Sequence, residues 1–328
     1  MTNFWVSFIL IIVSLSAGYA YRLSVLSRDP QGAGKLRLIA TAIQKLVVVV
    51  ITPVILINAF WVLDIAGGTM VLYPFIGLMS HVIGGVIALA ISRQFGHTRR
   101  QTGAMFTCGA FTNLSSFGGL VAYMYYGEAG FALSVLFKLF EPVAYYGIGF
   151  PLAKLYSENV SNNGTIKWRI DLKALLRDRL VLLPLIAILL GMLLNWSGLD
   201  RPYFLDTLVS PMVMLSTVMM LLSVGLNMRL AAASGYFREA MALASIKHLL
   251  MPVLMTATGL ALGYGKIDGG LPLRVLITMG AMPVAFNSLI PPSIYNLDID
   301  LANSCWIVST ALFVIVILPL LYLLTLAG

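Results

Sequence analysis

The 328-residue chain is 59% hydrophobic and only 10% charged, with 21 Lys and Arg against 13 Asp and Glu and a net charge of +8. Soluble domains carry roughly 25% charged residues, so this composition excludes a water-soluble fold of this length, whereas about ten bilayer spans of ~20 apolar residues absorb it. The positive balance does not mark a nucleic-acid binder, because the basic side chains fall in short segments between apolar runs, where they orient helices in a membrane.

Apolar runs fall near 4–21, 42–62, 70–92, 102–125, 130–153, 180–196, 208–228, 239–263, 272–295 and 301–324. They predict an all-α integral membrane protein with ten transmembrane helices. The first run ends in Ala17-Gly18-Tyr19-Ala20, which resembles a cleavage site, but Met1-Thr2-Asn3 has no basic residue and Arg22 follows the run. A retained first helix is therefore expected. Cys108 and Cys305 lie inside apolar runs with no Cys or His at ligand spacing. They read as packing residues, and no metal or other cofactor is expected.

Numbering each loop by the run it follows, the odd loops hold Arg22, Arg28, Lys35 and Arg37, then Arg93, Arg99 and Arg100, then six basic residues from Lys154 to Arg179, then Arg229 and Arg238. The even loops and the tails hold only Arg201 and Lys266. Positive-inside bias predicts a multi-pass protein of the cell membrane with both termini outside. The sequons at Asn159 and Asn163 then fall on the cytoplasmic side, out of reach of glycosylation.

The basic linker 154–179 separates two sets of five runs, 1–153 and 180–328, and an odd number of spans per half forces the second half to run inverted. Thr107-Cys108-Gly109-Ala110 resembles Thr278-Met279-Gly280-Ala281, and Gly127-Glu128 with Phe131-Ala132 resembles Leu297-Asp298 with Leu301-Ala302. Runs four and nine are thus equivalent, and each is interrupted, by Asn113 to Gly119 in one and by Pro283, Asn287-Ser288 and Pro291-Pro292 in the other. Lipid cannot satisfy backbone groups freed at such breaks, so broken helices face protein or a polar cavity. Two at symmetric positions predict crossing helices around a shared site near the bilayer midplane.

Span nine and its sequel read Gly280-Ala281-Met282-Pro283-Val284-Ala285-Phe286-Asn287-Ser288, then Tyr295, Asp298 and Ser309-Thr310 before Pro319. This resembles the auxin efflux carrier family of membrane transport proteins. Thr52-Pro53, and Lys247 followed by Pro252, are similar to family positions as well, while Leu120 stands where span four of the family usually has proline. The resemblance implies two inverted five-helix repeats, with spans 1, 2, 6 and 7 forming a scaffold that often dimerises. Spans 3–5 and 8–10 would form a transport domain that slides like an elevator, and the substrates are typically organic anions. A distant similarity to bile acid:sodium symporters brings sodium coupling into consideration.

Helix N-termini exposed at a break carry partial positive charge and can hold a carboxylate. The candidate substrate-binding residues are therefore Asn113, Ser115, Gly118, Pro283, Asn287 and Ser288, with the serines also able to cap freed backbone groups. Lys247 lies nine residues past Arg238, ~13 Å along the helix, too deep to snorkel. It either draws in an anion or neutralises a carboxylate of the fold. Lys138 and Glu141 share a helix face at i, i+3, as a structural ion pair or with Glu141 as a proton-coupling group. His248 in span eight and His81 in span three are packing residues or titrating couplers.

The leading functional reading is a secondary active transporter of a small organic anion such as a carboxylate, with proton or sodium coupling and a homodimer formed through the scaffold helices. The alternative is a membrane receptor or sensor that keeps a transporter-like ligand site. An enzyme is not expected: no nucleophile elbow, H-E-x-x-H helix or pair of intramembrane aspartates is present. The absence of a G-x-x-x-x-G-K-[ST] motif argues against direct ATP drive.

Overall fold

The structure, a computed structural model, describes residues 2–29, 31–62, 68–157, 179–228 and 235–327. The two sequons and most of the basic linker, with Lys167, Arg169, Lys173 and Arg177, lie outside the described residues, as does Arg229. Every regular element described is helical. In chain order these are α1 (Thr2–Arg28), α2 (Ala33–Trp61), α3 (Gly68–Gln94), α4 (Arg99–Ala110), α5 (Leu114–Phe137), α6 (Val143–Gly149 running into Phe150–Leu155), α7 (Arg179–Trp196), α8 (Tyr203–Asn227), α9 (Phe237–Ala261), α10 (Leu271–Gly280), α11 (Ile290–Ile294) and α12 (Ile299–Leu323).

Among the described residues, seven helices are long and apolar enough to cross a membrane, and α7 contributes a shorter apolar stretch, Ile186–Trp196. The chain is therefore an integral membrane protein of helices. The seven do not match the ten runs one to one: those at 102–125 and 130–153 share α5, the run at 180–196 meets only the shorter stretch in α7, and the run at 272–295 is divided between α10 and α11. Within α5 the backbone turns sharply at Gly127, with φ 67° and ψ −157°, a left-handed conformation that only glycine adopts without strain. Four helices also pass through a wide i→i+5 turn just before a proline: Val47–Ile51 before Pro53, Val143–Gly149 before Pro151, Ile246–Leu250 before Pro252 and Phe313–Ile317 before Pro319. Proline cannot donate to the preceding turn and its ring crowds the carbonyl four residues back, so one widened turn relieves the clash without ending the helix.

By packing, the chain divides into two compact units. The first comprises Met1–Ile65, Gly119–Ala132 and Leu172–Met228. Here α1 meets α8 where Gly18 faces Gly225, positions at which an added Cβ would strike the opposite backbone. In the same way α2 meets α7, with Gly191 against Ile57 and Phe60. Gln44 Nε2 donates to Ser223 Oγ at 3.1 Å, and Trp61 Nε1 donates to the Leu199 carbonyl at 2.8 Å. Arg201 Nη1 donates to the Glu128 carboxylate beside the Gly127 bend, with the two side chains only 13% and 22% exposed. Arg201→Ala should therefore lower stability by ~1–3 kcal/mol, because it leaves a poorly hydrated carboxylate without its partner. Thermal unfolding of Arg201→Glu, Glu128→Arg and the charge-swapped double variant checks this: the double variant should recover part of what each single variant loses.

The second unit comprises Ala66–Gly118, Leu133–Asp171 and Arg229–Gly328. At one end Arg99 Nη2 donates to Leu155 O at 2.7 Å, Arg100 Nε donates to Asn296 O at 2.6 Å and Tyr236 Oη donates to Asp298 Oδ2 at 2.7 Å. The carboxylate that accepts from Tyr236 holds its phenol proton and pushes its pKa above the ordinary tyrosine range. At the other end Tyr264 Oη donates to Thr69 O at 2.8 Å. In the interior α3 and α4 touch backbone to backbone at Gly84 and Gly109.

Candidate functional site

Helix α4 opens with a capping box, in which the Thr98 hydroxyl accepts from the Gln101 N–H while the Gln101 side chain returns to the Thr98 N–H. It stops at Phe111, whose φ of −94° and ψ of 121° are extended. Asn113 starts the next helix: its Oδ1 accepts from the Ser116 N–H at 3.2 Å, the bond an N-cap makes. Residues 111–113 are thus a short extended link between two helices. A second link lies beyond α10, where Pro283 cannot continue a helix and Ala285 is extended at φ −71°, ψ 145°.

The two links pair as antiparallel strands, with Thr112 opposite Val284. Asn113 N–H donates to Pro283 O at 2.8 Å, and Ala285 N–H donates to Phe111 O at 3.0 Å. Each break thereby satisfies backbone groups freed by the other, which is what non-helical backbone inside a bilayer needs. Side chains hold the remaining groups. His81 Nδ1 lies 2.8 Å from Ala110 O, and His248 Nδ1 lies 3.0 Å from Ala281 O, so the C-terminal ends of α4 and α10 are bound in the same way. His248 Nε2 lies 3.0 Å from Ser309 O, and Ser309 Oγ accepts from Val284 N–H at 3.2 Å. Tyr145 Oη donates to Thr112 O at 3.0 Å, with its ring stacked on Phe111 at 4.0 Å between centroids.

Asn113 is 5% exposed, and its Nδ2 is buried with no hydrogen-bond partner. Gly118 N–H donates to Asn113 O at 3.2 Å, and a Cβ on Gly118 would press on Met279. Ser288 is buried, 3.6 Å from Cys108 Sγ. Cys108 in turn lies beside Cys305, a proximity between α4 and α12 that 196 intervening positions conceal in the sequence. Asn287 is exposed, in the short turn Phe286–Leu289 past the second link, so the residue opposite Asn113 is Pro283 rather than Asn287.

One expectation about charged residues needs correction, and one alternative falls away. Lys138 and Glu141 do not share a helix face, because Lys138, Leu139 and Phe140 form a turn between α5 and the start of the next helix. The Ser115 hydroxyl bridges them, accepting from Lys138 Nζ at 3.2 Å and donating to Glu141 Oε2 at 3.3 Å. Among the described residues Lys247 has no carboxylate partner, which leaves the first of its two expected roles: its Nζ donates to Gly109 O at 2.6 Å and Thr112 Oγ1 at 2.7 Å. Thr112 and Tyr145 escaped sequence reasoning. The available signals were adjacency to Asn113 for one and the i+4 spacing from Glu141 for the other.

The family model described as "Membrane transport protein" matches residues 39–322, spanning both links and every candidate residue. The chain belongs to this family of membrane transport proteins. It is the family to which the Ala-Met-Pro and Asn-Ser elements of span nine pointed. An archaeal protein named as an uncharacterized transporter, from Methanothermobacter thermautotrophicus, is 22% identical over 282 residues, covering 86% of this chain and 87% of that protein. The family is one of membrane transporters and not of enzymes, which supports reading the chain as a transporter.

Proposed function

We propose that this transporter is a secondary carrier that binds a small organic anion, such as a carboxylate, at the crossing of the two extended links. The observation that carries the reading is the Asn113 amide, whose oxygen is spent on the Ser116 N–H while its buried Nδ2 donor is left without a partner. An unpaired buried donor costs ~1–3 kcal/mol, and a carboxylate oxygen is an acceptor that would recover it. The N-terminal end of α5 begins beside the same side chain and adds partial positive charge. In this reading Ser115, Gly118, Pro283, Asn287 and Ser288 line the path of the ligand. Glu141, bridged to Lys138 and next to Tyr145, is the proton-carrying candidate, with His248 as second.

Equivalent features in the two halves support an inverted repeat of 1–153 and 180–328. His81 and His248 bind Ala110 and Ala281 alike, wide turns precede both Pro151 and Pro319, and α1 pairs with α8 as α2 pairs with α7. Such a repeat suits alternating access. We assign elevator motion to spans 3–5 and 8–10 against a dimeric scaffold of spans 1, 2, 6 and 7, with both termini outside.

The test is a thermal-shift screen of small carboxylates and amino acids on the purified protein, followed by counterflow of each labelled hit in proteoliposomes. A binding ligand raises the melting temperature by mass action. An anion that both stabilises and exchanges supports the proposal. An anion that stabilises without exchange favours a receptor, and exchange confined to cations would overturn the substrate class.

A further inference from the structure

Among the described residues, Lys247 is the one Lys, Arg, Asp or Glu that is fully buried, at 1% exposure. A buried ammonium usually needs a carboxylate, yet the partners here are two neutral oxygens. Gly109 O belongs to the last turn of α4, where carbonyls lack helical partners and the helix end carries partial negative charge. Thr112 Oγ1 stands in the extended link itself. A helix C-terminus, a carbonyl and a hydroxyl converging on one positive charge are the ligands with which proteins replace the hydration shell of a monovalent cation. The surroundings are shaped for this charge. The wide turn Ile246–Leu250 lets α9 carry Lys247 and His248 inward side by side, and Gly84 leaves open the space near Nζ, which a Cβ there would approach to 3.7 Å.

We infer that Lys247 is a tethered cation that fills a latent monovalent-cation site at the crossing, so that neither the fold of the crossing nor transport requires sodium. A covalently held charge cannot dissociate with each transport cycle, so it neutralises the helix end without consuming an ion gradient. This deepens the transporter reading, and only its transport arm rests on that reading.

The first arm needs no substrate. The melting temperature of the purified parent should be the same in sodium, potassium and choline chloride at equal ionic strength. Lys247→Ala should melt on the order of 5 °C or more lower in choline, and sodium or n-propylammonium, but not N-methylglucamine, should restore most of that loss saturably. A saturable sodium-specific rise in the parent overturns the inference, and so does a folded Lys247→Ala protein that no cation stabilises. If Lys247→Ala does not purify, the parent's salt series still decides, together with the second arm. There, counterflow of an identified anion by the parent, with the membrane potential collapsed, should run equally fast with and without a sodium gradient. Acceleration by sodium overturns the inference. Absence of any counterflow counts against the transporter reading and leaves the thermal result standing.

Discussion

Gly109→Ala should abolish the folded, monodisperse protein, and Gly84→Ala should come close to doing so. A Cβ on Gly109 would fall on Ala88 Cβ and Gly84 O, and a Cβ on Gly84 would fall on Gly109 O. The obstructing groups are mostly backbone, so no flexible side chain can yield, and α3 and α4 must separate. Overpacking alone costs ~1–3 kcal/mol. Displacing Gly109 O adds to it, because Lys247 Nζ then loses its 2.6 Å acceptor, and an uncompensated buried charge costs about 3–5 kcal/mol. Together these approach the roughly 5–15 kcal/mol total stability of a typical domain. Gly34→Ala is the contrast: it is helical and exposed with nothing within 4 Å of the added Cβ. Alanine there should stabilise by about 0.5–1 kcal/mol. Fluorescence-detected size exclusion and melting curves separate the two outcomes. If Gly109→Ala behaves like Gly34→Ala, the close crossing of α3 and α4 is wrong.

The second large effect concerns Asn113, where two variants test the cap and the free donor. Asn113→Ala loses both the cap on Ser116 and the free donor, so stability should fall by ~1 kcal/mol and ligand affinity by roughly five- to 150-fold. Asn113→Asp keeps an oxygen to accept from the Ser116 N–H but buries a carboxylate at a position only 5% exposed, so it too should melt below the parent. It also replaces the Nδ2 donor with a second oxygen bearing negative charge, and an anion should then not bind. Affinities for an anion found by thermal shift, measured beside the melting temperatures, check both. An Asp variant that binds the anion as the parent does would remove Asn113 from the site.

Much of the architecture was legible because hydrophobicity alone dictates it. The runs near 70–92 and 239–263 fall on α3 and α9 within two residues at each end, while α2 and α8 begin nine and five residues before the runs near 42–62 and 208–228. The breaks were legible in kind and less so in place. The sequence places the interruption at Asn113 to Gly119, yet helix α4 ends before Phe111, because Asn113 caps the next helix and sets the start itself. The turn at 138–140 went unread although Pro142 marks it: proline is tolerated in a first helical turn and disfavours helix just before it. The partners of Lys247 were beyond reach for a different reason. A carbonyl oxygen leaves no trace in residue identity, so the acceptor at Gly109 reads in sequence only as a small residue. The same holds for Ala110, Ala281 and Pro283, whose contributions at the crossing are all backbone oxygens.

The wide turns before the prolines each hold one residue more than regular helical geometry would place there, in effect an insertion that the helix has absorbed. Removing one residue from Ile246–Leu250 would close that turn back to regular pitch. Each residue of an α-helix advances the chain by roughly 100°, so Lys247 and His248 would rotate by that angle against Met251–Ala261. One of the two segments would then turn its inward residues toward lipid. Natural relatives of this chain should therefore keep the number of residues between each turn and its proline fixed, so that the residues at Lys247 and His248 keep their inward direction.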